Sequence, residues 1–518
     1  MALFLLIYYV FISWALHRSG FEHSEAMFTA EKIKLLFEST DNTLLTLGTT
    51  FPSLTFLSAA AFTPFGYPYA PVLSSITFAC LLFYMLIIDF QRFAKNFLPR
   101  KVFVPMMFLL FLFHPGLIYT AVSGRGIAIL LLFFYLLFRS LFRYYKSQTT
   151  FYLSMASIYL TCLVFCDYNF IWLLLAFFPF IVFVSLEGLK LNKDQPAIFQ
   201  YYESLNNISQ RRKLANRTIA IYIIVFLLPI VALFLFKMLN KAHAGDSNYF
   251  LTSQYANWHV TGNVSIGNMI ASGYIDNVIT EQTQLVYQVY LLLLTPLLVL
   301  VFFLFRGKLY ELFTLLGPFI LISIILLNVQ YYITIEYLMT FLILALIGLC
   351  FYSEKKYSSR IVWPIIMATA ILNIFTGILY FNRTSDEEEK KFFASLKTVK
   401  KLQDTRTGTE EYILAAYISD ITDETHKILM DDAAAYRIMA HLRSLKSVIM
   451  PINNNFLTIV ENPKAGAKYV CIAKTKNRLQ GYTVLNEYNI KQMTERQSFK
   501  PMLMFETENW IIYKIISS

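Results

Sequence analysis

The chain has 518 residues, 57% of them hydrophobic, 17% aromatic and only 15% charged, with 48 Phe and 34 Tyr. A soluble domain carries about 25% charged residues, whereas here long apolar runs recur from Met1 to Asn382, which excludes an ordinary soluble protein and indicates a polytopic membrane protein. The net charge of +11 is spread over loops without a basic, aromatic-interleaved stripe, so it excludes a nucleic-acid partner.

The first apolar run, Leu3 to Leu16, lacks a charged leader and a small-residue cleavage site, and is taken as a first span, not a signal peptide. Beyond it comes Glu22-His23-Ser24-Glu25. Two carboxylates and an imidazole within one stretch of four residues, just beyond a membrane anchor, form either a solvated loop or a reaction centre at the membrane surface. A helix is expected from Ser24 to Phe37, with Ser24 as its N-cap. The run Phe51 to Phe65 contains Pro52 and Pro64 and is expected as an interfacial helix. Further spans are expected at 70–89, 102–120, 125–142, 150–167, 169–186, 217–237, 285–305, 309–328, 334–352 and 360–381, about 11 in all. Cys80, Cys162, Cys166 and Cys350 fall in these apolar runs and Cys471 stands alone in the polar tail, so no disulfide framework is indicated.

The spans carry almost no charge at mid-depth, which counts against proton-coupled transport. Polarity gathers at span ends instead. His114 precedes Pro115 and serves either a polar cavity or helix packing. Arg125 stands in Ser123-Gly124-Arg125-Gly126 at a helix start. Free backbone N–H groups, the positive helix end and a guanidinium together suit a phosphate, although an arginine there also snorkels. Asp167, in Cys166-Asp167-Tyr168-Asn169, is a cavity residue or a turn cap. Two long loops stand out, 18–69 and 238–284. The second holds Tyr249, Tyr255, Trp258 and His259, aromatics suited to sugar contact or to anchoring among headgroups.

Segments 90–101, 139–149, 187–217, 306–308 and 353–360 hold 18 Lys plus Arg, while the opposite loops hold six. The positive-inside rule then places the first set and the N-terminus in the cytoplasm, and both the acidic loop and the tail outside. Residues 1–382 thus form a transmembrane domain and 383–518 an exterior α/β domain. In the latter, Ile428 to Met430, Ser447 to Met450, Tyr469 to Ile472 and Trp510 to Tyr513 read as strands. Ala433 to Leu442 reads as a helix capped by Asp431-Asp432.

The order of these elements resembles the GT-C-fold glycosyltransferases, membrane enzymes that use polyprenyl-phosphate sugars and include protein O-mannosyltransferases and aminoarabinose transferases of lipid A. Ser24-Glu25-Ala26-Met27-Phe28-Thr29-Ala30 matches the acidic motif after their first span. Phe51-Pro52-Ser53-Leu54, ending at Phe65-Gly66, matches their interfacial helix. Gln91 to Lys101 matches a basic cytoplasmic turn, and Pro115, Arg125 and Ile127 to Phe138 match the following spans. The chain departs from the pattern at two places: Ser24 takes the first acidic position, and Gly126-Ile127 replaces the acid that follows the arginine.

The resemblance implies transfer of a sugar from a polyprenyl-phosphate donor to a glycan, lipid or protein acceptor outside a bacterial inner membrane, with inversion. It implies Glu25 or Glu22 as general base, and Arg125 with His114 at the phosphate. Asp167 would belong to the same cavity, and the loop carrying Trp258 and His259 would shape the acceptor site. Nothing in the sequence requires a metal: no His or Cys pair stands at ligand spacing on one predicted face. A non-catalytic scaffold subunit and a lipid-linked sugar flippase are the alternatives.

Overall fold

The computed structural model describes residues 1–38, 52–93, 100–187, 189, 197–257, 259–261, 289–290, 292–328, 335–352, 359–384, 386–398, 409–474, 483–487, 490–491 and 499–517. The first helix, α1 (Ala2–Arg18), buries Leu5, Tyr9, Ile12 and Leu16 as one stripe and leaves Leu3, Phe4, Ile7, Val10 and Phe11 exposed. A helix apolar on both faces yet half uncovered is one that faces lipid. α2 (Ser24–Glu38) follows, then α3 (Ser53–Ala60), which at eight residues is too short to cross a membrane. That agrees with an interfacial position for this segment.

α4 (Ala70–Phe93) leads to α5 (Arg100–Phe113) and α6 (Pro115–Val122), which bend by 65° at His114. The break has a local cause. Pro115 has no N–H for the Phe111 carbonyl, and the Gly116 N–H donates to His114 Nδ1 instead of to Leu112. The two freed carbonyls accept the hydroxyls of Tyr9 and Tyr8, each at 2.7 Å, so α1 is fastened across the break. Backbone groups freed inside a membrane need such partners.

α7 (Ile127–Ser147), α8 (Thr150–Val164), α9 (Phe178–Glu187), α10 (Ala197–Asn206) and α11 (Ile208–Ala244) come next. They are followed by α12 (Pro296–Leu304), α13 (Leu309–Asn328), α14 (Ile335–Phe351) and α15 (Ser359–Arg383). α14 is apolar on every side except at Glu336, and every other residue in it is buried, which makes it the centre of the bundle. Among the described residues, four helical segments are long and apolar enough to cross a membrane, or six if each of two bent pairs counts once; four more apolar helices are shorter. Each of the eleven expected spans overlaps a described helix.

The two ends of the bundle differ. At one end Asp89, fully buried, accepts from Tyr135 and from both Arg139 and Arg143, so the charge that enters the bundle is neutralised there. The other end, about 20 Å away along α7, receives α2, α3 and the chain after α15. α16 (Glu387–Thr398) and α17 (Glu410–Ile421) precede a mixed sheet.

The sheet has the order β2-β1-β3-β5-β4, from β1 (Ile428–Leu429), β2 (Val448–Ile449), β3 (Tyr469–Ala473), β4 (Phe499–Glu506) and β5 (Trp510–Ser517). β2, β1 and β3 are parallel; β5 and β4 join antiparallel. The four sequence-read strands lie on β1, β2, β3 and β5. β4 has no clean alternation and carries Pro501, which an edge strand tolerates. α18 (Asp432–His441) connects β1 to β2 and is capped by Asp431, which accepts the Ala433 N–H at 3.1 Å.

Candidate active site

Arg125 is positioned by its neighbours. Gly124 and Gly126 have φ of +76° and +75°, the left-handed region. A Cβ on Gly126 would stand 2.6 Å from Thr55 Cγ2, and one on Gly124 2.8 Å from Ala26 Cβ. The turn is therefore wedged between α2 and α3, and only glycine fits on either side of the arginine. Gly126→Ala should cost about 1–3 kcal/mol in strain and move the Arg125 backbone; unfolding in detergent checks the first and a structure of the variant the second. α7 starts immediately after this turn and has no side-chain cap.

The guanidinium meets carboxylates. Glu25 Oε2 lies 2.9 Å from Arg125 Nε and Glu336 Oε1 lies 3.8 Å from Nη2. Their side chains are 17% (Arg125), 16% (Glu25) and 25% (Glu336) exposed, so the cluster is mostly enclosed. Burial opposes the Arg125 charge, but Glu25 and Glu336 hold it protonated. Asp167 stands in the turn after α8, where Phe165 O accepts the Leu54 N–H of α3. One Asp167 oxygen accepts the Asn169 N–H at 2.9 Å, the turn-capping role. Burial, then Glu336 and more weakly Glu25, push the Asp167 carboxyl up to about 7. Asp167 thus serves its own turn, with the Glu336 and Glu25 charges acting on its carboxyl.

α2 is held by an outer ring of charges. His23, not Ser24, caps it: His23 Nδ1 accepts the Glu25 N–H at 3.1 Å. The Ser24 hydroxyl is engaged by Glu388 and Arg437. Glu22 lies between His17 Nδ1 at 3.1 Å and His441 Nε2 at 2.8 Å. Burial pushes the Glu22 carboxyl up, but the two imidazoles outweigh it and hold the group below the usual carboxylate range. Further along α2, Lys32 is buried between Glu31 and Asp432. Lys34 donates to the Leu442 carbonyl, and burial lowers its amine to about 8. Met27, Phe28 and Ala30 pack on Ala433, Tyr436 and Ala440 of α18.

Glu389 is 2% exposed and accepts from Tyr380 Oη at 3.3 Å and Thr384 Oγ1 at 2.5 Å. Burial, with Asp386 nearby, pushes its carboxyl up to about 8. A carboxyl whose folded pKa is raised favours folding at low pH, and that contribution is lost as pH climbs through the folded value. Glu389→Gln should therefore raise the melting temperature at pH 8.5 but not at pH 5, a comparison that calorimetry in detergent makes directly.

The other sequence candidates fall elsewhere. His114 is buried at the α5–α6 break, its ring against Gly116 and Gly377, and it serves the helix break through the Gly116 N–H. Trp258 lies outside the described residues. His259 sits beside Val260, which packs with Met27, Phe28 and Ala433, so this loop segment borders α2 and α18. Residues not singled out from sequence are Glu336, Glu388, Glu389, Arg437, His441 and Tyr119. The signal for Glu336 was present: one carboxylate opening an otherwise apolar helix. Tyr119 stacks edge-on to His23 at 5.9 Å, and its buried hydroxyl has no hydrogen-bond partner among the described residues. Among those residues no group of three or more His, Cys, Asp or Glu could hold a metal ion.

No protein-family model matches this chain, and no curated protein matches it. Solved structures are similar to it. ArnT from Cupriavidus metallidurans bound to undecaprenyl phosphate superimposes with a TM-score of 0.48 and 9% identity, over 98% of this chain and 97% of that one. Its apo state gives 0.49 and 10%, over 99% and 97%. The oligosaccharyltransferase of Archaeoglobus fulgidus in the apo form gives 0.41 and 10%, over 99% of this chain and 74% of that one. Both are GT-C-fold glycosyltransferases, the class that the motif order resembles. No residue role follows from a likeness of this degree.

Proposed function

We propose that this protein is a membrane glycosyltransferase that moves a sugar from a polyprenyl-phosphate donor to an acceptor hydroxyl, with inversion. The reaction takes place at the bundle end that carries the C-terminal domain, the periplasmic side of a bacterial inner membrane. One observation carries the reading: the Glu25 carboxylate lies 2.9 Å from the Arg125 guanidinium, beside the uncapped N-terminus of α7.

A guanidinium has five N–H donors. Glu25 occupies Nε, and Glu336 stands beyond hydrogen-bond length from Nη2. The terminal nitrogens and the first N–H groups of α7 receive the donor phosphate. The acceptor oxygen attacks the anomeric carbon as its proton passes to Glu25. The bond from that carbon to the phosphate oxygen breaks, and polyprenyl phosphate leaves with the electron pair, its added charge held by Arg125. Asp167 and Glu336 stand on the sugar side of the guanidinium in this reading. Glu22, held between two imidazoles, serves docking in place of proton transfer, and His114 serves the helix break. The loop carrying Trp258 and His259 borders the acceptor.

The test is sugar transfer in proteoliposomes from a panel of polyprenyl-phosphate hexoses and pentoses to membrane glycolipid and protein acceptors. Glu25→Gln should abolish transfer and leave polyprenyl phosphate binding in place. Full transfer by this variant would sink the assignment. Movement of the labelled donor across the bilayer without any transfer would favour a flippase instead.

A further inference from the structure

The second charged cluster at this end of the bundle involves residues far apart in sequence and reaches Glu25 through the backbone. Glu388, at the start of α16, accepts the Ser24 N–H at 3.0 Å and the Ser24 hydroxyl on the same oxygen, Oε1. Arg437 Nη2, from α18, donates to that oxygen at 2.7 Å and also to the Ser24 hydroxyl oxygen. The other oxygen, Oε2, lies 2.9 Å from His23 Nε2. His23 Nδ1 accepts the Glu25 N–H at 3.1 Å. The ring is thus an acceptor at Nδ1 and a donor at Nε2, which fixes its tautomer and its plane.

Two of the first free N–H groups of α2, those of Ser24 and Glu25, are taken by this network. These two contacts fix the start of the first turn of α2, and Glu25 is the residue in that turn whose side chain reaches Arg125. We propose that Glu388 and Arg437 are positioning residues through which the C-terminal domain sets the Glu25 carboxylate for transfer; this rests on the role given to Glu25 above. The C-terminal domain then contributes no reacting group and is still needed for the reaction.

The chemistry makes the network sensitive to single changes. Arg437 is the cation against the Glu388 charge in this enclosed setting, where a lone carboxylate is costly. Without it, Glu388 loses the support that aims it at Ser24 N. In Glu388→Gln the amide offers one oxygen and one NH2. Its NH2 must face either the His23 Nε2–H or the Ser24 and Arg437 donors, so a donor meets a donor on one side. The first turn of α2 shifts in either case, and a shift of about 1 Å at a reacting group costs on the order of 10²-fold in rate.

Transfer from the panel donors would be measured in proteoliposomes for Glu388→Gln, Arg437→Ala and Arg437→Lys, together with melting temperature and a structure of Glu388→Gln. The expected result is a fall in kcat of about 10²-fold for Glu388→Gln and Arg437→Ala, with the donor KM within about 2-fold and with Arg437→Lys recovering most of the rate. In the Glu388→Gln structure, Glu25 should have left Arg125. Normal kcat in both variants would overturn the proposal. So would a kcat loss no greater than the loss of folded protein, or an intact Glu25–Arg125 pair in the variant structure. Glu25→Gln serves as the separate control: if it transfers normally, the function assigned to Glu25 has failed, and the variant structure alone then decides whether Glu388 positions that side chain.

Discussion

Arg125→Ala is expected to lower sugar transfer by about 10²–10³-fold, the usual cost of removing one preorganised donor from a developing negative charge. Polyprenyl phosphate binding should weaken together with kcat, because the same guanidinium holds the phosphate before and during bond cleavage. Arg125→Lys should recover little. An ammonium is one point charge without a planar fork, so it cannot hold Glu25 on one edge and a phosphate on another. Arg125→Ala also leaves Glu25 and Glu336 facing each other without their shared cation, so transfer has to be normalised to folded protein. Steady-state transfer with titration of polyprenyl phosphate separates the two effects.

Lys32→Met is expected to destabilise the protein by about 3–5 kcal/mol, as expected when one partner of a buried ion pair is removed. Lys32 is 3% exposed and contacts both Glu31 and Asp432, while Asp432 Oδ1 has no hydrogen-bond partner among the described residues. Burial opposes the Lys32 charge, and the two carboxylates more than restore it. Without the ammonium, Glu31 and Asp432 must take up protons to stay buried. The loss should therefore be larger at pH 8 than at pH 5. Lys32→Met combined with Asp432→Leu should recover part of it, since packed apolar groups replace a buried pair at little cost. Equilibrium unfolding of the single and double variants at both pH values measures this directly. Because Lys32 joins α2 to α18, the same experiment reports how firmly the C-terminal domain is seated on the bundle.

Local patterns were legible in the sequence wherever a single segment determines them. The Gly124-Arg125-Gly126 turn, the Pro115 break, the short α3 and the Asp431 cap all follow from residue type and immediate neighbours. The pairing of Glu25 with Arg125 was reachable only through the order of motifs, since 100 residues separate them. Glu388 and Arg437 gave no such signal. Glu388 reads as one acid in an amphipathic helix, and Arg437 as one base on a mixed face. Their meeting with Ser24 spans 364 and 413 residues and depends on how the tail folds back onto α2. For His114 the sequence left a polar cavity and helix packing both open. Its Nδ1 is used by the backbone that the proline disrupts.

The most direct test is a structure of the full chain with polyprenyl phosphate bound. The account predicts the phosphate within hydrogen-bond distance of the Arg125 terminal nitrogens and the first N–H groups of α7, with Glu25 close enough to receive a proton from an incoming hydroxyl. A phosphate bound away from Arg125, with the Glu25–Arg125 pair left as it is, would contradict it.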